Sequence, residues 1–150
     1  MTEKLKRYKS LYVAIICFPL MLLASCRVSL VPAYDAALQT QIENAAKATD
    51  MLYLKMMDAS MNDKEYATYA QDYLNIEGEI NAILLKNEIR PKSEDIVASI
   101  KILKDYFIKA KEDHVKRNVL SNAEALIYNE QLKALWKPVL IEEMALSKVR

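Results

Sequence analysis

Apolar positions recur along most of this chain at alternating steps of four and three residues, the mark of helices that each bury one stripe. Leu38, Ile42, Ala45, Thr49, Leu52 and Met56 form the first such seam. Tyr66, Tyr69, Tyr73, Ile76, Ile80 and Ile83 form the second, and Ile96, Ile100, Leu103, Phe107, Ala110 and His114 the third. A fourth face is read through Ala125, Tyr128, Leu132, Leu135 and Val139.

Breaks between the seams carry helix-end chemistry. Asp35 is placed to cap the first helix, which is expected to run to about Ser60. Met61-Asn62-Asp63 offers acceptors for the free amides of a second helix, expected to reach about Asn87. Arg90-Pro91-Lys92 stops that helix, because proline restricts its predecessor and cannot extend the hydrogen-bond ladder. Ser93 is read as the next cap, with Glu94 and Asp95 at the positive end of the third helix. Ser121-Asn122-Ala123-Glu124 matches a capping box. Pro138 predicts a kink near Lys137, or a helix that ends and restarts.

Four helices of roughly 25 residues, each about 38 Å long, joined by short links, predict an all-α fold. Short links place successive helices antiparallel, so the expected architecture is an up-down-up-down four-helix bundle. A three-helix bundle with a kinked fourth segment across one end is the alternative.

The first 25 residues have another character. Lys4, Lys6, Arg7 and Lys9 form a basic head, followed by an uncharged apolar run from Leu11 to Leu23 broken only by Pro19. That is the layout of a secretory signal, and the run is shorter than the roughly 20 residues of a spanning helix. The tetrapeptide Leu23-Ala24-Ser25-Cys26 resembles a bacterial lipobox, whose cysteine is diacylated before signal peptidase II cuts ahead of it. Cys17 is a poorer match, since bulky Ile16 precedes it. The resemblance implies a signal peptide over 1–25, a lipidated cysteine and short tether over 26–34, and a helical domain over 35–150. It also implies a bacterial cell-envelope location, anchored to a membrane by lipid on Cys26. Arg27 stands where an enterobacterial inner-membrane retention signal has Asp, which by analogy favours the outer membrane, facing the periplasm.

Composition narrows what the domain does. Removing residues 1–25 leaves 125 residues, with 17 basic and 19 acidic side chains. This balance argues against nucleic acid, whose binders concentrate positive charge. No cysteine follows Cys26, so packing alone must hold the fold. Gly78 is the only glycine of the chain, which excludes glycine-rich phosphate loops, dinucleotide fingerprints and the nucleophile elbow. Within the second helix it costs about 1 kcal/mol against alanine, or permits a close helix contact.

Candidate chemistry is sparse. His114 is the only histidine; with Lys111 three residues before it, the Glu-x-x-His pairs of a di-iron bundle are absent, and a structural or surface role is expected. No serine stands in an oxyanion-type sequence. Glu77/Glu79 and Glu142/Glu143 are spaced so that their members do not face each other, and both pairs read as solvated charge. Met51, Met56, Met57 and Met61 cluster as Cu(I) ligands do, although flexible core filling is the commoner use. Lys101, Lys104, Lys109, Lys111, Lys116 and Arg117 make the third helix locally basic, interspersed with acids. No metal or cofactor is expected, and no catalytic residue.

Tyr66, Tyr69 and Tyr73 share one helix face, able either to fill the core or to line a groove for a ligand or sugar. Trp136 carries the same ambiguity and, if exposed, is a natural partner contact. The expected function is therefore non-enzymatic: an anchored envelope bundle acting in structure or protein–protein interaction. The alternative is a small-ligand or cell-wall glycan module using the Tyr66/Tyr69/Tyr73 face.

Overall fold

Four helices, α1 (Ala36–Asp58), α2 (Tyr66–Glu88), α3 (Glu94–Arg117) and α4 (Asn122–Leu146), make up most of residues 31–60 and 63–148, the part described by a computed structural model. α1 and α3 each pack against both α2 and α4, with little contact across the diagonals, so the chain is an up-down-up-down four-helix bundle. Among the described residues no helix is long and apolar enough to cross a membrane.

The seams of α1, α2 and α3 fill the core as their spacing requires. Leu38, Ile42, Leu52, Tyr73, Ile80, Ile83, Ile100, Leu103 and Phe107 are all essentially inaccessible to solvent. α4 is the exception, because its buried positions are Ala125, Asn129, Leu132, Trp136, Val139, Glu143 and Leu146. The alternation of four and three holds throughout, but through Asn129 and Trp136 rather than through Tyr128 and Leu135. Those two are half-buried at the flank, packed against the core. The pair Glu142/Glu143, expected to be solvated, is thereby divided: Glu143 is fully buried and Glu142 half-buried.

Helix ends follow the sequence at two of the four starts. Asp35 Oδ1 accepts from the amides of Ala37 at 2.9 Å and Leu38 at 3.1 Å. The Ser121/Glu124 capping box is complete, with Ser121 N donating to Glu124 Oε2 at 2.9 Å and Glu124 N to Ser121 Oγ at 3.3 Å. α2, by contrast, starts at Tyr66, with no side-chain cap. Asp63 is engaged by the Ser60 hydroxyl at 2.6 Å, and the Tyr66 amide donates to the Asn118 carbonyl at 2.8 Å. The α3–α4 loop thus caps α2 through its own backbone, in an isolated antiparallel bridge between Glu65 and Val119.

Ser93 also does other work than capping. Lys92 has a positive φ of 64°, and Ser93 follows at φ −109°, ψ 20°, outside the extended region a side-chain cap needs. Its hydroxyl turns back instead to donate to the carbonyls of Asn87 and, at 2.6 Å, Arg90, tying off the end of α2.

Pro138 neither ends α4 nor restarts it. It and Ala134, whose carbonyl loses a helical partner to the proline ring, both lie on the solvent-exposed side of the helix. Gly78 makes no close helix contact: a Cβ there meets nothing within 4 Å. Gly78→Ala is expected to stabilise the domain by roughly 0.5–1 kcal/mol, read as a higher urea midpoint at unchanged slope. An unchanged or lower midpoint would contradict that open site.

Val31 begins the compact unit, and Tyr34 packs on the core with its hydroxyl donating to Gln39 Oε1 at 2.8 Å. Cys26 and the signal segment lie outside the described residues.

Candidate functional site

The aromatic residues singled out in the sequence are structural in their placement. Tyr73 is fully buried, Tyr69 is 5% exposed, and Tyr66 is half-buried. Tyr66 and Tyr73 stack with centroids 5.9 Å apart, and Tyr73 meets Phe107 at 5.8 Å. His114 is edge-on to Tyr66 and Tyr73, each at 5.7 Å. These rings pack on one another and on the core, with Tyr66 at its half-exposed edge. Burial at helical spacing is the reason: both d and a positions of α2 here carry tyrosine, and the core needs their volume.

His114 is held on both nitrogens. Nε2 lies 2.9 Å from the Lys64 carbonyl, which can only accept, so Nε2 carries the proton. Nδ1 then accepts from the Tyr73 hydroxyl at 3.2 Å. Burial pushes the His114 pKa below its ordinary value, only partly opposed by the backbone carbonyls it faces. Burial likewise raises Tyr53 and Tyr73, and raises Tyr128 to about 12, where a hydrogen bond to Asp113 at 2.7 Å adds to it.

The unfolded chain therefore binds a proton at His114 before the folded one does. The stabilisation is complete above about pH 6.5 and is lost as pH falls below it, with a limiting slope of about 1.4 kcal/mol per pH unit. His114→Gln should flatten stability between pH 6.5 and 5 in urea titrations. A wild-type curve already flat over that window would contradict the neutral buried ring.

Trp136 is 3% exposed, its indole Nε1 donating to Thr49 Oγ1 at 3.1 Å. The Thr49 hydroxyl in turn donates to the Ala45 carbonyl at 2.8 Å. Trp136 is thus a bridge between α4 and α1 rather than an exposed partner contact. Its position on the true seam of α4, one residue beyond Leu135, explains the burial.

Among the described methionines of this stretch, Met51 is 44% exposed, Met56 is buried and Met57 half-buried; Met61 is outside the described residues. Among the described residues no three His, Cys, Asp or Glu side chains are grouped to hold a metal. The basic stretch of α3 is partly neutralised across helices, Lys101 by Glu88 at 3.1 Å and Lys111 by Glu77 at 2.8 Å. Arg117 pairs with Glu124.

Two features escaped the sequence. The first is a buried ion pair: Arg90 Nη2 to Glu143 Oε2 at 2.7 Å, with Nη1 to Oε1 at 3.1 Å, a bidentate fork. Glu143 also accepts from the Asp35 amide at 3.2 Å, and Arg90 reaches the Ala33 carbonyl at 3.4 Å. The N-terminal strap, the α2–α3 loop and the end of α4 are fastened together there.

The second is the outer face of α4 and its groove with α1. α4 is the least amphipathic of the four helices. Leu126, Ile127, Ile141 and Met144 are each about half exposed along it. Between α1 and α4 lies a shallow groove of about 490 Å³, floored by Ala46, Trp136 and Leu140 and rimmed by lysines. Lys133 pairs with Asp50 at 2.9 Å. Burial pushes the Asp50 carboxyl up, but hydrogen bonds from Lys133 and Asn129 outweigh it and hold it below its ordinary value. Lys47 and Lys137 make no ion pair among the described residues, so the rim carries surplus positive charge.

No family model matches the sequence, and no characterised protein or solved structure is significantly similar to it.

Proposed function

We infer that the protein is a bacterial envelope lipoprotein, held on a membrane through Cys26 with the outer membrane's periplasmic side as its place, and that it works without catalysis by docking another envelope protein. The lipobox and basic-apolar leader support the anchor. The observation that carries the docking role is the α1–α4 face. A helix whose outward residues are as apolar as Ile127, Ile141 and Met144 is the kind normally covered by a neighbour. The lysine rim beside it suits an acidic, amphipathic helix as the neighbour. A second copy of the chain fits less well, since a two-fold interface would set Lys47, Lys133 and Lys137 against their own copies.

Site-specific photo-crosslinking in cells tests the reading, with the crosslinker at Ile141 and, as a control, at Ile102 on α3. One envelope protein captured from Ile141, absent from Ile102 and lost in Lys47→Glu/Lys137→Glu, is the expected result. Equal capture from both positions, or capture of this chain itself, would sink it. Cys26→Ala should release the protein from membranes; retention would count against the anchor.

A further inference from the structure

We propose that the end of the bundle formed by the N-terminal strap and the α2–α3 loop rests on the phospholipid surface, with Leu85 and Ile89 set into the bilayer interface. This rests on the lipoprotein reading, and adds to it a fixed orientation and a second membrane contact.

The strap sets the geometry. Ala33 and Asp35 are fastened by Arg90 and Glu143, so the chain leaves the bundle at the α2–α3 loop. Cys26 to Ala33 spans at most about 23 Å when fully extended. The opposite end, at the α1–α2 and α3–α4 loops, is a further helix length away, about 34 Å for the 23 residues of α1. A lipid on Cys26 therefore holds the strap end, and not the other, near the bilayer.

That end is built for such a contact. Ile89 is 76% exposed, the most exposed large apolar side chain among the described residues, and Leu85, one turn earlier on the same face, is 60% exposed. Exposed Lys86 and Lys92 flank them, and Lys148 closes α4 at the same end. Of the nearby acids, Glu88 is paired with Lys101 and Asp35 is used as a cap, while Glu94 and Asp95 occupy the first turn of α3. Exposed apolar side chains beside lysines match the interface of an anionic membrane, where acyl chains and negative headgroups meet.

The test uses the full chain, matured in bacteria and reconstituted in vesicles of phosphatidylethanolamine and phosphatidylglycerol. Cys17 falls in the removed segment and Cys26 is acylated, so Ile89→Cys creates the one free thiol of the mature protein. Ser60→Cys does the same at the far end. Each is labelled with an environment-sensitive fluorophore and challenged with lipids carrying a quencher within the bilayer. The expected result is a blue-shifted label at position 89, quenched several-fold more than the label at position 60. Weak, equal quenching at both positions, with the intact mass showing an acylated Cys26, would overturn the proposal and leave the lipoprotein reading standing. An unacylated mass, with a thiol that labels in the wild-type chain, would overturn both.

Discussion

Glu143→Ala is expected to destabilise the bundle by about 3–5 kcal/mol, enough to lower Tm by roughly 10–20 °C in a domain of this size. The physical reason is the partner it abandons. The Arg90 side chain is only 11% exposed, and without the carboxylate its guanidinium stays in the protein with no counter-charge. Arg90 Nε has no hydrogen-bond partner among the described residues, so the pair is costly to bury even when intact. Replacing both members with apolar residues, as in Arg90→Met/Glu143→Leu, should therefore recover most of the loss. Thermal and urea denaturation of the two singles and the double would decide it. If Glu143→Ala were neutral, the pair would be solvated and the strap unfastened. In the expected case, amide exchange at Ala33–Asp35 should accelerate in Glu143→Ala even under conditions where the helices remain protected.

That pair shows how the sequence was legible for the fold but only partly for the site. The steps of four and three alone placed α1, α2 and α3, because apolar seams are what bundle packing selects. The same arithmetic, carried forward from Leu132 through Val139, reaches Trp136 and Glu143. It was hidden by polar residues on the seam itself: Asn129 at one position, Glu143 at another. A carboxylate on a helix is usually solvated, so its neighbour in the sequence, Glu142, gave the wrong impression of both. Only the Arg90 contact, 53 residues away, makes burial of Glu143 tolerable, and no local pattern encodes that distance.

Loop chemistry was less legible still. Lys64 is 3% exposed, its amine on Asn122 and its carbonyl on His114, partners from α4 and α3. The start of α2 moved for the same reason, since Asn118 supplied an acceptor that made a side-chain cap unnecessary. His114 itself was correctly placed on a seam, but its role depends on Tyr73 and Lys64, which only tertiary packing brings to it. The α1–α4 face left a trace in the sequence, in that α4 carries apolar residues around most of its circumference.

Trp136→Ala is expected to cost about 3–5 kcal/mol, as large aromatic-to-alanine changes in packed cores do. The indole spans the α1–α4 contact, and its removal opens a void beneath the groove that neither Ala46 nor Leu140 can fill without moving a helix. Trp136→Phe keeps most of that volume and loses chiefly the bond to Thr49, so a cost of about 1 kcal/mol is expected. The Thr49 hydroxyl keeps its own acceptor, the Ala45 carbonyl, which limits the loss. This ordering separates a core bridge from a partner contact. Were Trp136 a surface contact, the alanine variant would lose its partner at unchanged stability. Because it is buried, a failed pull-down with Trp136→Ala would report a damaged bundle rather than a missing contact. Ile141→Lys is the cleaner probe: Ile141 is 54% exposed, and the change should alter stability by no more than about 0.5 kcal/mol. Loss of crosslinked partner in Ile141→Lys, at a Tm close to that of the wild type, therefore assigns the interaction to the α4 surface. Loss in Trp136→Ala alone, with Ile141→Lys unaffected, would move it elsewhere.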